Sequence, residues 1–189
     1  MLYLNTHIQQ TDDGELSSIL ARLPLRRREK ALAFAHRQGR LECALTYMEL
    51  CRGLREEYGI DEMPEFGYRQ HGKPYLLRYP HIHFSLSHCR QAVGCLLSDS
   101  PCGLDMECEE RHCTPSLVRY TMNDEEVRLI EESPCPEKTF LRLWTRKEAF
   151  LKMQGTGLTD ELKDILAAAS HAHFETFEQD GVVISFLSS

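Results

Sequence analysis

The sequence contains no long hydrophobic run and no recognisable targeting segment. Its longest uncharged apolar stretch is Ala92–Leu97, far short of the roughly 20 residues that a helix needs to cross a bilayer. Met1–Gln10 lacks both the basic start and the apolar run of a signal peptide. We therefore expect a cytoplasmic protein with no membrane partner.

The sequence also lacks the cysteine spacing that is typical of zinc sites. None of its eight cysteines stands in a C-x-x-C pair. The His81-x-His83 and His171-x-His173 pairs have no further Cys or His nearby at ligand spacing. Because no export signal is visible, we expect the cysteines to stay reduced rather than to form disulfides.

What is present is the composition of an ordinary globular protein. The 189 residues are 42% hydrophobic and 27% charged, which excludes a disordered chain and suits one domain or two small halves with a shared core. The net charge of −7 argues against general nucleic-acid binding. Charge is asymmetric only at Arg22–Arg40, which has seven basic residues and one acid. A solvated helix face explains this segment as well as a binding role does.

Hydrophobic periodicity indicates an α+β protein, because the strands and the helices are largely segregated along the chain. Asp180-Gly181 is expected to form the turn of a closing hairpin. The predicted helices are Asp12–Leu23, one that opens at Pro24, Arg40–Tyr58 after a break near Gly39, Pro115–Tyr120, Asp124–Glu132 and Glu137–Gln154. The predicted strands are Leu4–Ile8, Phe66–Gln70, His83–Ser87, Ala92–Leu97, Cys102–Glu107, Phe174–Glu178 and Val182–Leu187.

Asp105 and Glu107 form the first candidate site. In a strand, residues two apart project to the same face, so both carboxylates point one way and Met106 points into the core. Two adjacent carboxylates repel each other unless a cation lies between them. Oxygen ligands of this kind suit Mg²⁺. A D-x-E pair on its own is weak evidence, since most such pairs in an acidic protein are simply solvated.

A helical segment supplies the second candidate. Trp144, Glu148 and Lys152 are spaced four apart and share one face of the predicted helix. An ordinary Glu–Lys surface pair would have the same spacing. The segment therefore supports a functional site only in combination with other motifs.

The third candidate is a predicted strand, Phe84–Ser87, that ends at His88. It is preceded by the Lys-bearing turn Gly72-Lys73-Pro74. Together with the basic segment and the carboxylates, these residues have the chemistry to hold a polyanionic phosphate ligand, with a metal on one phosphate group and Lys, Arg and His on another.

Four ordered motifs resemble those of the 4′-phosphopantetheinyl transferases, above all the monomeric surfactin-synthetase-activating type. The resemblance covers roughly Leu23 to Leu158. Two details depart from the family pattern: Cys89 replaces the usual Ser or Thr after the histidine, and the C-terminal tail is short. The motifs are Gly72-Lys73-Pro74-Tyr75-Leu76, Phe84-Ser85-Leu86-Ser87-His88, Gly103-Leu104-Asp105-Met106-Glu107, and Trp144-Thr145-Arg146-Lys147-Glu148-Ala149-Phe150-Leu151-Lys152 with Gly155-Thr156-Gly157-Leu158.

This resemblance implies a set of site residues. Glu148 is implied as a catalytic residue together with Lys152, and Glu125 corresponds to a further acidic position near the site. The implied Mg²⁺ ligands are Asp105, Glu107 and Glu148. The implied coenzyme A contacts are Arg27, Lys30, Arg40, Lys73, Pro74, Ser87, His88 and Lys152.

The resemblance also implies a fold and a reaction. The family fold has two similar α+β halves related by a pseudo-twofold axis, with the active-site cleft between them. We expect the division near Leu97–Pro101, giving halves at residues 1–99 and 100–189. The implied reaction is Mg²⁺-dependent transfer of 4′-phosphopantetheine from coenzyme A to a serine of an acyl or peptidyl carrier protein, which releases adenosine 3′,5′-bisphosphate. The enzyme is expected to be a monomer.

Other readings stay open at the level of sequence. An inactive module that binds the carrier protein or coenzyme A would share these motifs, and an unrelated Mg²⁺-dependent phosphotransferase or nuclease would use the same acids. Carrier docking is expected to involve the Arg22–Arg40 segment and the apolar residues Leu117, Val118 and Met122.

Overall fold

The structure, a computed structural model, describes residues 1–110, 112–157 and 162–189. It is a mixed α+β architecture with two three-stranded antiparallel sheets and a separate two-stranded hairpin. The predicted α+β class is therefore confirmed. Leu158, the last residue of the final motif, lies outside the described residues.

The N-terminal part of the chain forms the first sheet, and the last strand of this part lies at the centre of the sheet. The first helix begins where sequence predicts, because Asp12 and Glu15 form a reciprocal capping box. A short 3-10 turn at Ile8–Gln10 precedes it. The elements are β1 (Leu2–Asn5), α1 (Asp13–Arg22), α2 (Leu25–Leu32), α3 (Arg37–Tyr58), β2 (Phe66–Tyr68), β3 (Pro74–Leu76), β4 (His83–His88) and β5 (Val93–Ser98).

The C-terminal part builds the second sheet in the same manner. The predicted turn at Asp180-Gly181 is confirmed, since both residues have positive φ, 51° and 74°, as tight hairpin turns require. Another 3-10 turn lies at Leu162–Asp164. The elements are β6 (Cys102–Cys108), α4 (Pro115–Thr121), α5 (Asp124–Glu131), α6 (Pro136–Gln154), α7 (Ile165–Ala168), β7 (Glu175–Gln179) and β8 (Val182–Ser188).

The two sheets share one strand order. The first has the order β1-β5-β4 and the second the order β6-β8-β7. In each, the first strand of the segment lies at one edge, the last strand lies in the centre, and the strand before it occupies the other edge. All pairings are antiparallel. The long helix α3 contacts the first sheet and α6 the second.

The two sheets meet through a common core. Leu96 of the first sheet packs with Leu104, Met106 and Ile184 of the second, and all four are buried. The prediction that Met106 faces the core is thus confirmed. At the same junction the hydroxyl of Ser85 accepts a hydrogen bond of 2.9 Å from the Leu104 amide, so β4 and β6 lie side by side.

The structure contains β3 and α7, which the periodicity did not predict, and the two largest boundary errors concern the third helix and the first strand. The third helix begins at Arg37 rather than Arg40, and Gly39 lies within its first turn rather than at a break. The Phe34 ring covers Gly39 so closely that a Cβ there would come within 2.6 Å of it. The first strand is Leu2–Asn5 rather than Leu4–Ile8, because its register is set by pairing of Leu2 with Leu96.

Two further observations bear on the sequence expectations. Among the described residues, no helix combines the length and the hydropathy that a bilayer span demands. The eight cysteines are free thiols.

Candidate functional site

A cleft of about 250 Å³ opens between the β3–β4 region and α6. It joins three of the predicted motifs, because the Lys73–Pro74 turn and β4 form one wall and α6, with Glu148 and Lys152, forms the other. Its remaining surface is mostly apolar or glycine. The residues that line it are His71, Gly72, Lys73, Pro74, Phe84, Ser85, Leu86, Glu148, Leu151, Lys152, Gly155 and Gly157.

A buried carboxylate links both sheets to α6 beside this cleft. Asp105 Oδ1 accepts hydrogen bonds from Lys152 Nζ at 2.6 Å and from Ser87 Oγ at 3.0 Å. Lys152 Nζ also donates to Ser87 Oγ at 3.0 Å. Asp105 is only 6% exposed, and its other oxygen, Oδ2, is buried without a hydrogen-bond partner. The structure thus brings together three predicted site residues from three different elements.

Gly103 allows α6 to approach β6 closely enough for these contacts. A Cβ on Gly103 would lie 1.8 Å from the carbonyl oxygen of Ala149 and 2.8 Å from the amide nitrogen of Met153. Both atoms belong to the helix backbone. No side chain larger than a hydrogen fits at this position, which explains a glycine near the start of a buried strand.

Lys73 is held at the C-terminal end of α6. Its Nζ donates to the carbonyl oxygens of Met153 at 2.8 Å and of Cys102 at 3.3 Å. Gly155, which ends the helix with a φ of 73°, packs against the aliphatic part of the Lys73 side chain. Burial lowers the pKa of the Lys73 ammonium. Because a cation at a helix C-terminus is favourable, Lys73 fixes one end of the cleft.

Lys147 is a buried cation that the sequence reasoning did not single out. Its Nζ donates to Glu126 Oε2 at 2.6 Å and to the carbonyl oxygens of Thr121 and Leu162, each at 2.8 Å. Lys147 has no exposed surface, and this burial lowers its pKa, against the opposing effect of Glu126. These contacts connect α6 to α4, to α5 and to the segment that contains Leu162.

A helix-capping motif in the sequence could have identified Glu126 as a residue with a fixed position. Glu126 closes a capping box with Asn123 at the start of α5, and the spacing N-x-x-E is visible in the sequence. Glu126 is buried, whereas the predicted neighbour Glu125 is exposed. The structure therefore gives the inward acidic position to Glu126.

The predicted metal ligands occupy the expected elements. Glu107 follows Asp105 by two residues on β6, and Glu148 lines the cleft from α6. Within the described part of the chain, no three His, Cys, Asp or Glu side chains are assembled as a ready metal site. The unpartnered Oδ2 of Asp105 and the carboxylate donor set nevertheless suit a hard cation, which protein sites typically bind with one or two carboxylates plus water and phosphate.

His88 lies at the end of β4, where its imidazole faces α3. Its Nδ1 is 3.3 Å from Glu42 Oε2, and about half of its side chain is exposed. Partial burial lowers the pKa of His88, while the Glu42 carboxylate acts in the opposite sense. His88 is not among the described residues that line the cleft.

The predicted basic contacts lie outside the cleft lining as well. The Arg27 guanidinium is enclosed by aromatic rings, 4.7 Å from the centroid of Tyr47 and 5.0 Å from that of Phe66. Lys30 Nζ lies 5.9 Å from the Tyr68 ring. Arg40 donates from Nε to a backbone carbonyl at 2.9 Å.

The prediction for carrier docking was wrong in part. Val118 and Met122 are buried, 9% and 1% exposed, in the core that α4 and α5 form with α6. Leu117 packs against that core and is partly buried. Amphipathic spacing alone did not distinguish the inner face of α4 from its outer face, where Tyr120 is exposed.

Comparison with known proteins defines the class. A sequence model described as the 4′-phosphopantetheinyl transferase superfamily matches residues 101–185, which include β6, α6 and most of the closing hairpin. The chain is similar to this superfamily and, within it, to the Sfp-like members.

Three curated relatives illustrate the similarity. A 4′-phosphopantetheinyl transferase of Bacillus subtilis is 28% identical over 149 residues, which is 77% of this chain and 66% of that protein. The 4′-phosphopantetheinyl transferase Sfp of Bacillus subtilis strain 168 is 26% identical over 160 residues, covering 84% and 70%. The 4′-phosphopantetheinyl transferase psf-1 of Bacillus pumilus is 33% identical over 120 residues, covering 62% and 51%. The chain spans about two thirds of the length of the two Bacillus subtilis proteins.

Proposed function

We propose that the protein transfers 4′-phosphopantetheine from coenzyme A to a serine hydroxyl of an acyl or peptidyl carrier protein. The observation that carries this proposal is the convergence of Ser87, Asp105 and Lys152 within 2.6–3.0 Å of one another, beside a cleft that α6 and the β3–β4 region line together. Cations and a buried carboxylate next to an apolar cleft suit a ligand with both a pyrophosphate and a largely apolar arm. The similarity to the superfamily supports the same reaction.

A Mg²⁺ ion fits the proposed site. Asp105, Glu107 and Glu148 would hold it, and the buried unpartnered Oδ2 of Asp105 is the donor whose position most needs a cation. When bound, the ion supplies charge neutralisation for the phosphate groups. The Lys152 ammonium now neutralises Asp105, and it would interact with phosphate when a metal takes over that carboxylate.

The protein side chains would position the two reactants. Glu148 lines the cleft and would accept the proton of the carrier serine, directly or through a water molecule. Lys73 and Pro74 border the cleft at its other wall, while Ser87 and His88 would contact the coenzyme at the end of β4. Holding reactants in line supplies much of the rate enhancement in phosphoryl transfer.

The proposal also includes two halves, residues 1–99 and 100–189, which are related by a pseudo-twofold axis and both contribute residues to the site. The support is the shared strand order of the two sheets and the long helix that contacts each of them. The basic residues Arg27, Lys30 and Arg40 would serve the phosphate-bearing adenosine end of coenzyme A. A monomeric state, a cytoplasmic location and the lack of nucleic-acid or membrane partners stay predictions.

Mass spectrometry of an apo carrier protein tests the proposal directly. After incubation with coenzyme A and Mg²⁺, the carrier should gain about 340 Da, the mass of the transferred group. Excess EDTA should abolish the gain. Asp105→Ala should reduce it severely while the protein stays folded, whereas Asp61→Ala, which removes an exposed carboxylate paired with Arg55, should leave it unchanged.

Two results would contradict the proposal. Full transfer in excess EDTA would refute the role of the metal. Tight binding of coenzyme A without any mass gain on several carrier proteins would instead indicate an inactive binding module.

A further inference from the structure

Three polar side chains form a row across the second sheet. Asp105 of β6 lies opposite Ser185 of β8, and Ser185 lies opposite Thr176 of β7. Residues directly opposite each other in antiparallel strands project to the same face. This face is the one that α6 covers, because Gly103, two residues before Asp105, lies against the helix backbone. The row therefore runs beneath α6, and the proposed metal ligand Asp105 is at one end of it.

The middle of the row belongs to a chain of hydroxyl groups that reaches into α6. Ser185 Oγ lies 2.7 Å from Thr145 Oγ1 and 2.9 Å from Thr176 Oγ1. Arg146 Nε donates to Thr176 Oγ1 at 2.9 Å, and the Thr145 hydroxyl donates to the carbonyl oxygen of Arg142 at 3.4 Å. A hydroxyl has only one proton to donate. The donors therefore run in one direction, from the guanidinium through the three hydroxyls to the helix carbonyl.

The hydroxyls of Thr145 and Ser185 meet inside an apolar interface. Neither residue has any exposed surface. Val183, two residues before Ser185, belongs to the buried cluster of Phe140 and Leu141, and Leu187, two residues after it, belongs to another buried cluster. Apolar contacts are not directional, so they tolerate small sliding of a helix over a sheet. A buried hydroxyl does not tolerate it, because no water replaces a lost hydrogen bond there.

The spacing along α6 connects this hydrogen bond to the proposed site. Thr145 precedes Glu148 by three residues and Lys152 by seven, so the three residues lie on successive turns of one helix. Sliding or rotation of α6 at Thr145 would move the other two side chains with it. The contact of Lys152 with Asp105 at 2.6 Å thus depends on where Thr145 is held.

We propose that the hydrogen bond between Thr145 and Ser185 sets the register of α6 on the second sheet, and that both are positioning residues for the transfer reaction; the effect on transfer rests on the proposed function. Neither is among the described residues that line the cleft. They act through Glu148 and Lys152. Because a misplacement of about 1 Å costs about 100-fold in rate, we expect kcat to fall about 10- to 100-fold when this hydrogen bond is removed.

The double variant Thr145→Val with Ser185→Ala tests the proposal. It removes both hydroxyls and keeps much of the side-chain shape. Replacing both partners of a hydrogen bond with apolar groups is nearly neutral for stability, so the Tm should stay within about 4 °C. In the carrier modification assay, kcat should fall about 10- to 100-fold. The KM for coenzyme A should change less than about threefold, because the proposed contacts of the first half are untouched.

Two single variants serve as controls. Thr145→Ser keeps the hydroxyl and should keep kcat within about threefold of the unchanged protein. Thr139→Val removes the same kind of contact from the same helix, since Thr139 Oγ1 lies 2.7 Å from Ser133 Oγ, but this pair lies at the start of α6 and outside the polar row. It should leave kcat unchanged.

Trp144 gives a readout that does not need turnover. It is the only tryptophan of the chain, it precedes Thr145 on α6, and its indole is 9% exposed. Ser185→Ala leaves the helix chemically unchanged, so a shift of the Trp144 emission maximum in that variant reports movement of α6. We expect such a shift in Ser185→Ala and none in Thr139→Val.

Each outcome decides one part of the proposal. A kcat of the double variant within threefold of the unchanged protein overturns the positioning role, as does an equal loss in Thr139→Val or in Thr145→Ser. An unchanged Trp144 emission in Ser185→Ala overturns the setting of the register. If the unchanged protein modifies no carrier protein, the proposed function fails, and the emission of Trp144 still decides whether this hydrogen bond holds α6 in place.

Discussion

Replacing Gly103 with alanine tests whether the close approach of α6 to β6 is what builds the site. The added methyl carbon would start 1.8 Å from the Ala149 carbonyl oxygen, about half of an ordinary contact distance of about 3.5 Å. Because the obstructing atoms are helix backbone, no side-chain rotation relieves the overlap. The helix must move away from the strand by more than about 1 Å.

This displacement has a cost in stability and a larger cost in function. Overpacking of a tight core costs about 1–3 kcal/mol of unfolding free energy, or roughly 2–12 °C in Tm for a protein of this size. The same movement carries Lys152 away from Asp105, whose hydrogen bond is 2.6 Å long, and shifts Glu148 in the cleft. A misplacement of that size corresponds to about a 100-fold loss of turnover.

The assay combines denaturant unfolding with carrier modification on Gly103→Ala and on a control, Gly59→Ala. Gly59 ends α3 with a φ of 65° and has no neighbour within 4 Å of an added Cβ. Alanine there should cost about 1–2 kcal/mol through backbone strain and leave turnover of the folded protein unchanged. Turnover of Gly103→Ala within threefold of the unchanged protein would refute the reasoning, as would an equal loss in the control.

Three further changes probe individual side chains. Lys147→Met should lower the unfolding free energy by about 3–5 kcal/mol, because it leaves Glu126 as a buried carboxylate without its cation; a loss under 1 kcal/mol in denaturant unfolding would contradict this. Addition of Glu126→Gln to that variant should restore part of the stability. His88→Ala should raise the KM for coenzyme A more than it lowers the Tm, and an unchanged KM in the folded protein would show that His88 only supports the junction with Glu42. Glu148→Gln should reduce turnover about 10²–10⁴-fold with coenzyme A binding retained, whereas turnover within threefold at saturating Mg²⁺ would make Glu148 an ordinary surface residue.

Local signals predicted much of the fold correctly. The capping box at Asp12, the Asp180-Gly181 turn and the apolar periodicity of the long helices each depend on residues close in sequence, so the ends of these elements were within a few residues of those observed. The boundary error in the first strand arose because a distant residue sets its register. The first strand takes its register from Leu96, which no local pattern reveals.

The same distinction applies to the site. The resemblance placed Asp105, Ser87 and Lys152 in one site, although they are 18 to 65 residues apart along the chain. Sequence reasoning did not foresee that Lys152 bonds directly to Asp105, since that contact depends on how closely α6 approaches β6. It also missed Lys147, whose partners come from three segments outside its own helix.

The strand order of the second sheet has a consequence for synthesis of the protein. β6 carries Asp105 and Glu107, yet its partner in the sheet is β8, the last strand of the described chain. During translation β6 must wait, with its hydrogen-bonding edge open, until the residues of β8 have left the ribosome. Open edges of apolar strands invite pairing with other chains. Premature termination after Gly181 would therefore yield a product that aggregates, rather than a shortened enzyme with reduced activity.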